Sequence, residues 1–270
     1  MMSFRPNLQR LRVLAAASAA VALTACGSLS KKEPGAGLDA GGLYAEAKEE
    51  ASSGNLDKAA KLYEKLEGRA AGGLLSQQAQ LERAWLLYRS GDKATSLAVL
   101  DRFIRLNPSS PGLDYAFYLQ GLVNFNDNLG FLSSFSRQDL SERDQQASRD
   151  SYRSFRQLIE QFPQSIYAAD AQLRMDYIVN SLAAYELHVA RYYFRRGAYV
   201  AAANRAQQAV RDFQQSPSAR EALAIMVQSY DRLGLTELRD DAQRVLAQNS
   251  PGEAVRIGGG QRAKPWWQLW

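Results

Sequence analysis

Glycine recurs at a fixed interval in this chain, and that interval constrains the fold more than any other feature. Gly54 and Gly91 are 37 residues apart, and so are Gly197 and Gly234. Each stands between two stretches rich in Ala, Leu, Gln, Arg and Glu in which apolar residues return every three or four positions. That is helical spacing, and no extended run combines strand alternation with hairpin signals. The unit is therefore helix, tight turn, helix. The second helices also stop at a repeated distance: Pro108 follows Gly91 by 17 residues and Pro251 follows Gly234 by 17. Proline has no amide hydrogen to donate and its ring clashes with the preceding turn, so it closes a helix.

Five residues after each turn glycine comes the position that a tetratricopeptide repeat usually fills with a small residue, which lets its two helices approach closely. Ala59, Ser96 and Ala202 comply, and Arg239 does not. These spacings resemble tetratricopeptide repeats, whose nominal period is about 34 residues. The resemblance implies an all-α, right-handed superhelix of about five helical hairpins. The repeat domain is expected over 43–251, divided as 43–72, 74–108, 111–163, 165–217 and 218–251. The segment from Phe125 to Ala147 lengthens the third unit and reads as an inserted loop with some local helix. After it, ASRDSYRSFRQLIEQFP restores the pattern, with Ser151, Phe155, Leu158 and Pro163 in the small, aromatic, apolar and terminal-proline places. The first half of the fourth unit, Ile166 to Arg196, is either one bent helix or two. Asp92 is placed to cap the helix after Gly91, and Ser218 with Glu221 has capping-box spacing after Pro217. A single hairpin cannot bury both its helices well, whereas a stack builds a continuous core. An open stack is therefore favoured over a closed bundle.

The N-terminus carries an address. Arg5, Arg10 and Arg12 precede the apolar stretch from Val13 to Ala25, which runs directly into Cys26. Thirteen helical residues rise only about 20 Å, too short for a hydrocarbon core of roughly 30 Å, so 1–25 reads as an export signal. Leu23-Thr24-Ala25-Cys26-Gly27 resembles a bacterial lipobox, which implies cleavage before Cys26. Its thiol would take a diacylglyceryl group and its new amine an acyl chain, and paired chains anchor durably because each buried methylene contributes about 0.8 kcal/mol. By resemblance to lipoprotein sorting signals, Gly27 in place of Asp favours the periplasmic face of the outer membrane. Residues 26–42 form the lipid attachment and a glycine-rich tether, and 252–270 form a tail.

Composition removes most chemistry. One Cys and one His exclude thiolate-rich zinc centres, multi-histidine sites and an internal disulfide. Gly91 lacks the Gly-Lys-Ser/Thr element of a phosphate loop and follows no strand. No carboxylate pair stands out as acid and base, and His188 reads as a packing or surface imidazole beside the stripe of Tyr185, Val189 and Tyr192. That stripe, flanked by Leu182 and Leu187, either packs between helices or fronts a binding face. The formal charge of +5 falls to about +2 once three signal arginines leave, which gives nucleic acid binding little support. The chain is expected to be no enzyme, with no metal and no cofactor beyond the Cys26 lipid.

Several stretches together resemble the BamD family of tetratricopeptide lipoproteins: the lipobox, DRFIRLNP at 101–108, DYAFYLQGL at 114–122, QFPQS at 161–165 and LAAYELHVARYYFRRGAYVAAANR at 182–205. The resemblance implies a periplasmic scaffold of the β-barrel assembly machinery. It would bind the central barrel subunit through that protein's periplasmic domains, meet accessory assembly lipoproteins, and assist folding and insertion of outer membrane proteins. A general periplasmic peptide-binding chaperone or adaptor outside that complex is the alternative. By the same resemblance, Arg205, Tyr199 and Arg196 are expected at the central-subunit contact, unless Arg205 is paired within its own repeat. Tyr88, Tyr115, Tyr118 and Asn124 are expected on the floor of a substrate or accessory-protein groove. Trp266, Trp267 and Trp270 depart from the family pattern and would cap the last repeat, contact a partner, meet a membrane or belong to a mobile tail. The text from Glu67 to Gln80 also departs from it, with Gly72-Gly73 loosening the first junction.

Overall fold

The structure, a computed structural model, describes residues 35–70, 72–125, 142–249 and 257. Cys26, the export signal, Pro251, the three tail tryptophans and 126–141 of the insertion lie outside these residues. Among the described residues there are ten helices, taken in pairs as five hairpins. The first helices of the pairs are α1 (Ala40–Ser52), α3 (Leu74–Arg89), α5 (Leu113–Asn124), α7 (Ala168–Arg195) and α9 (Ser218–Leu233). Their partners are α2 (Leu56–Arg69), α4 (Lys93–Leu106), α6 (Glu142–Gln161), α8 (Tyr199–Asp212) and α10 (Thr236–Asn249). Each helix packs on its neighbours in the chain, and first helices also touch across hairpins, α3 with α5 and α7 with α9. The result is the all-α stack expected of tetratricopeptide repeats.

The four turn glycines, Gly54, Gly91, Gly197 and Gly234, hold φ between 73° and 91°, a left-handed backbone that other residues adopt at a cost. In the first four hairpins the small residue does its expected work: Ala59, Ser96, Ser151 and Ala202 are all fully buried. Ser96 and Ser151 add a bond across the crossing, their hydroxyls donating to the carbonyls of Ala84 and Gly121 at 2.8 Å in both cases. Close approach at the third hairpin comes from Gly121, where an added Cβ would lie 2.4 Å from the Phe155 ring. In the last hairpin Arg239 occupies the small position and instead pairs with Asp231 at 3.2 Å and Asp240 at 2.8 Å. Only Ala242 of α10 is buried.

Between hairpins the chain uses one turn three times. The hydroxyls of Ser110, Ser165 and Ser216 accept from the amides of Gly112, Tyr167 and Ser218. Their carbonyls accept from Leu113, Ala168 and Ala219, in the first turns of the next helices. Ser110 also donates to Gln77 and Ser165 to Asp114, both at 2.8 Å, tying each turn back to the preceding first helix. Three buried clusters fill the stack. One spans α1–α3 around Leu43, Leu62 and Leu66, and a central one runs from Ala84 to Ala183 around Phe103, Phe155 and Ile178 and takes in Phe213 at the end of α8. The last joins α7–α10 around Leu187, Ala206 and Ile225.

Five local expectations are met, sharpened or overturned. Asp92 caps α4 as expected, its carboxylate accepting from the Thr95 amide at 3.1 Å. The Ser218/Glu221 box does not form: Pro217 occupies the cap position, Ser216 takes over the amide of Ser218, and Glu221 is 5% exposed, turned to Arg191. A buried carboxylate needs a cation more than it needs a backbone amide, which an exposed cap could leave to water. Ile166 to Arg196 resolves into a single helix, α7, of 28 residues. At the ends of the insertion, α6 starts at Glu142, ahead of Ala147. At the N-terminal end α1 begins at Ala40 despite Gly41 and Gly42, because Asp39 accepts from the Gly42 amide at 2.8 Å and Leu43 and Ala47 are buried.

Candidate binding surfaces

The residues expected on a groove floor do not form one row. A groove of about 560 Å³ opens where α3, α5 and the start of α7 meet, with Gln78, Glu82, Tyr115, Ile166 and Tyr167 on its walls. Of the four expected residues, Tyr115 lines it. Tyr118 stands behind, stacked on Tyr167 with ring centroids 4.6 Å apart and planes at 18°. Its hydroxyl donates to Asp170 at 2.7 Å, and Arg174 donates to the same oxygen at 2.6 Å. Tyr88 lies against Trp85 in α3, with ring centroids 5.7 Å apart. Asn124 spends its amide on the Gln120 carbonyl of its own helix, at 3.3 Å. Helical periodicity assigned these residues to first helices but not to one face, because one residue of phase error turns a side chain by about 100°.

The groove is an aromatic and acidic place. Burial pushes the Tyr115 hydroxyl well above the usual phenol range, with the charge of Glu82 adding to the effect. Tyr118 is pushed up to about 12, first by burial and then by its bond to Asp170. Burial also raises the Glu82 carboxyl, against a smaller opposing pull from Lys48. The two phenols keep their protons at neutral pH and present ring faces and polar edges without a reactive nucleophile. Ile166 stands 85% exposed at the rim and was missed by the sequence reading, which placed it only at a helix start.

The second surface lies at the far end of α7. Tyr185, His188, Val189, Tyr192, Tyr193 and Arg205 line a pocket of about 390 Å³. The stripe of Tyr185, Val189 and Tyr192 therefore fronts this pocket, while Leu182 and Leu187 beside it enter the core. Arg196 is exposed, its guanidinium 5.2 Å from the Tyr192 ring centroid, and this brings it beside Arg205's pocket. Tyr199 sits apart, edge-on to Phe194 at 5.5 Å, with Arg232 at 6.0 Å from its ring. Arg205 has an internal partner: it donates to Glu186 at 3.1 Å, with 43% of its side chain exposed against 4% for the carboxylate. One guanidinium edge thus neutralises a buried charge while the other remains open to solvent or a partner. Glu186 gave no sign in the sequence, being one of three acids along α7. Arg191 makes a two-pronged pair with Glu221 that joins α7 to α9.

Among the described residues no cluster of three or more His, Cys, Asp or Glu side chains could hold a metal. No described helix is long and apolar enough to cross a membrane.

Comparison with known proteins bears on the whole chain. A family model described as YfiO, outer membrane lipoprotein, matches residues 38–245. The outer membrane protein assembly factor BamD of Neisseria meningitidis serogroup A is 41% identical over 264 residues, covering 96% of this chain and 99% of its own. The protein of the same name from Neisseria gonorrhoeae is 40% identical over equal shares. That from Xylella fastidiosa strain Temecula1 is 35% identical over 86% of this chain and 79% of its own. Ten helices in five stacked hairpins, and matches that run the length of that stack, lead to one statement: this chain belongs to the BamD (YfiO) family of outer membrane lipoproteins.

Proposed function

We propose that the protein is a lipid-anchored scaffold on the periplasmic face of the outer membrane that serves the assembly of outer membrane proteins. One observation carries this reading: near-complete coverage, 96% of this chain and 99% of the relative's, at 41% identity to an assembly factor. A helical-repeat stack alone would not, since the same architecture serves unrelated functions. The stack contributes an extended rigid surface on which several weak contacts add. The organisation is a signal over 1–25, the lipid on Cys26, a tether, the repeat domain and a tail. The central β-barrel subunit docks its periplasmic domains on the Tyr192, Arg196 and Arg205 surface, with Tyr199 at its edge. Accessory lipoproteins or unfolded substrates use the Tyr115 groove, with Tyr118 holding Tyr167 in place behind it, and Tyr88 and Asn124 outside the contact.

Mild detergent extraction followed by affinity purification tests the scaffold. A membrane β-barrel protein with periplasmic domains is expected in stoichiometric yield. Its absence, where other envelope assemblies survive the same extraction, would sink the reading in favour of a free-standing chaperone. Intact mass of the mature chain tests the anchor separately: the N-terminus should be acylated Cys26, and Cys26→Ser should leave the precursor unprocessed.

A further inference from the structure

The stack is unfinished at its C-terminal end. Terminal repeats of a solenoid need a polar outer face, because no further repeat covers them. Here α10 leaves Leu238 48% and Val245 41% exposed. These two form one side of a groove of about 890 Å³ between α8, α9 and α10, whose other apolar walls are Val210, Leu223, Met226 and Tyr230.

The chain itself comes back to this end. Ile257, eight residues beyond the end of α10, packs against the buried cluster that includes Leu223, Met226 and Ala242, and all three also line the groove. From Ile257, Gly258 to Gly260 impose no steric barrier to a sharp reversal, and the nine steps to Trp266 reach up to roughly 30 Å. α10 is about 21 Å long, so residues 261–270 have ample reach along its exposed face. They carry Trp266, Trp267, Leu269 and Trp270, an apolar content out of place in water. The groove rim supplies Gln207, Gln214 and Asn249, whose carbonyls are acceptors suited to indole N–H groups.

We propose that residues 261–270 dock in the α8–α10 groove of the same chain, with the tryptophans as anchors, and so serve as the cap of the repeat stack. Each indole buried there removes roughly 150–250 Å² from water.

The chain has four tryptophans, and Trp85 is the one outside the tail, so a full-length Trp85→Phe protein reports on the tail alone. Its emission is expected to be blue-shifted and shielded from iodide, at a level independent of protein concentration and without added lipid. Introducing Leu238→Lys with Val245→Lys should shift the emission to that of water-exposed indole while the helical circular dichroism holds. Replacing Trp266, Trp267 and Trp270 with serine in the otherwise natural chain should lower the melting temperature by about 2–8 °C and speed amide exchange in α10. Water-exposed emission in the parent, or shielding untouched by the two lysines, would overturn the proposal. So would shielding that rises with protein concentration, which would place the tail on a second copy. Shielding that appears only with phosphatidylethanolamine/phosphatidylglycerol vesicles would give the tail to the membrane and overturn it equally.

Discussion

Arg205 and Arg196 lie beside one pocket and answer to different physics. Glu186 is almost wholly buried, and Arg205 supplies the opposite charge that makes burial tolerable. Arg205→Glu would set two carboxylates face to face, and about 1–3 kcal/mol of stability should be lost, less than for a fully buried pair because the guanidinium is half exposed. Arg205→Lys should recover part of it, and Glu186→Gln combined with Arg205→Gln more, by urea denaturation. Arg196→Glu should leave the melting curve unchanged and weaken binding to the partner's periplasmic domains several fold, since its guanidinium rests on an exposed ring. Equal affinity for the Arg196→Glu variant would remove that residue from the contact. Glu82 tests the groove. Burial raises its carboxyl above the ordinary value of 4.5, so the folded chain holds that proton to higher pH than the unfolded chain. Stability is therefore lost as pH rises through the window between those two values. Glu82→Gln should be more stable than the parent at pH 7, with the advantage gone near pH 4, by denaturation at both.

At the scale of the element, the hairpins show which marks a sequence carries openly. The turn glycines and the small residues were legible because a backbone with positive φ and a tight helix crossing each admit few side chains. The inter-repeat turns were not. Their common residue, Ser110, Ser165 and Ser216, acts through a hydroxyl bond to the amide two residues on, and serine is too frequent to be noticed without the geometry. The capping-box spacing at Ser218 misled for the opposite reason: a local pattern was overridden by a long-range ion pair from Glu221 to Arg191. Gly121 gives a sharp element-scale prediction. A methyl group there would meet a fully buried Phe155, and Gly121→Ala should cost about 1–3 kcal/mol where helix propensity alone would predict a gain. A stabilised variant in thermal melts would mean that α5 and α6 separate freely.

For the whole molecule, α7 decides how the parts behave together. Its N-terminal portion, through Ala183, belongs to the central core, and Leu187 and Ala190 belong to the C-terminal one. Ala183→Pro would break the helix at the join, where Ala183 is fully buried, at a cost of about 3 kcal/mol or more. The described chain should then melt in two steps, with the central and C-terminal hairpins no longer unfolding as one, and a single sharp transition would contradict that coupling. The family and the stack could be read from spacing and motifs, whereas the two surfaces required helix rotation, and the partner of Arg205 required a neighbour 19 residues away.

The same helix also fixes a distance. Tyr167 stands at the cap position of α7 against the acidic groove, and Tyr192 stands near its other end, 25 residues on, which at helical rise is about 38 Å. Whatever occupies one surface is thereby held at a set spacing and angle from whatever occupies the other, like two fittings on one strut. A load taken up at one end is delivered to the other without a hinge to absorb it, so two clients bound together would be gauged against each other by the length of a single α-helix.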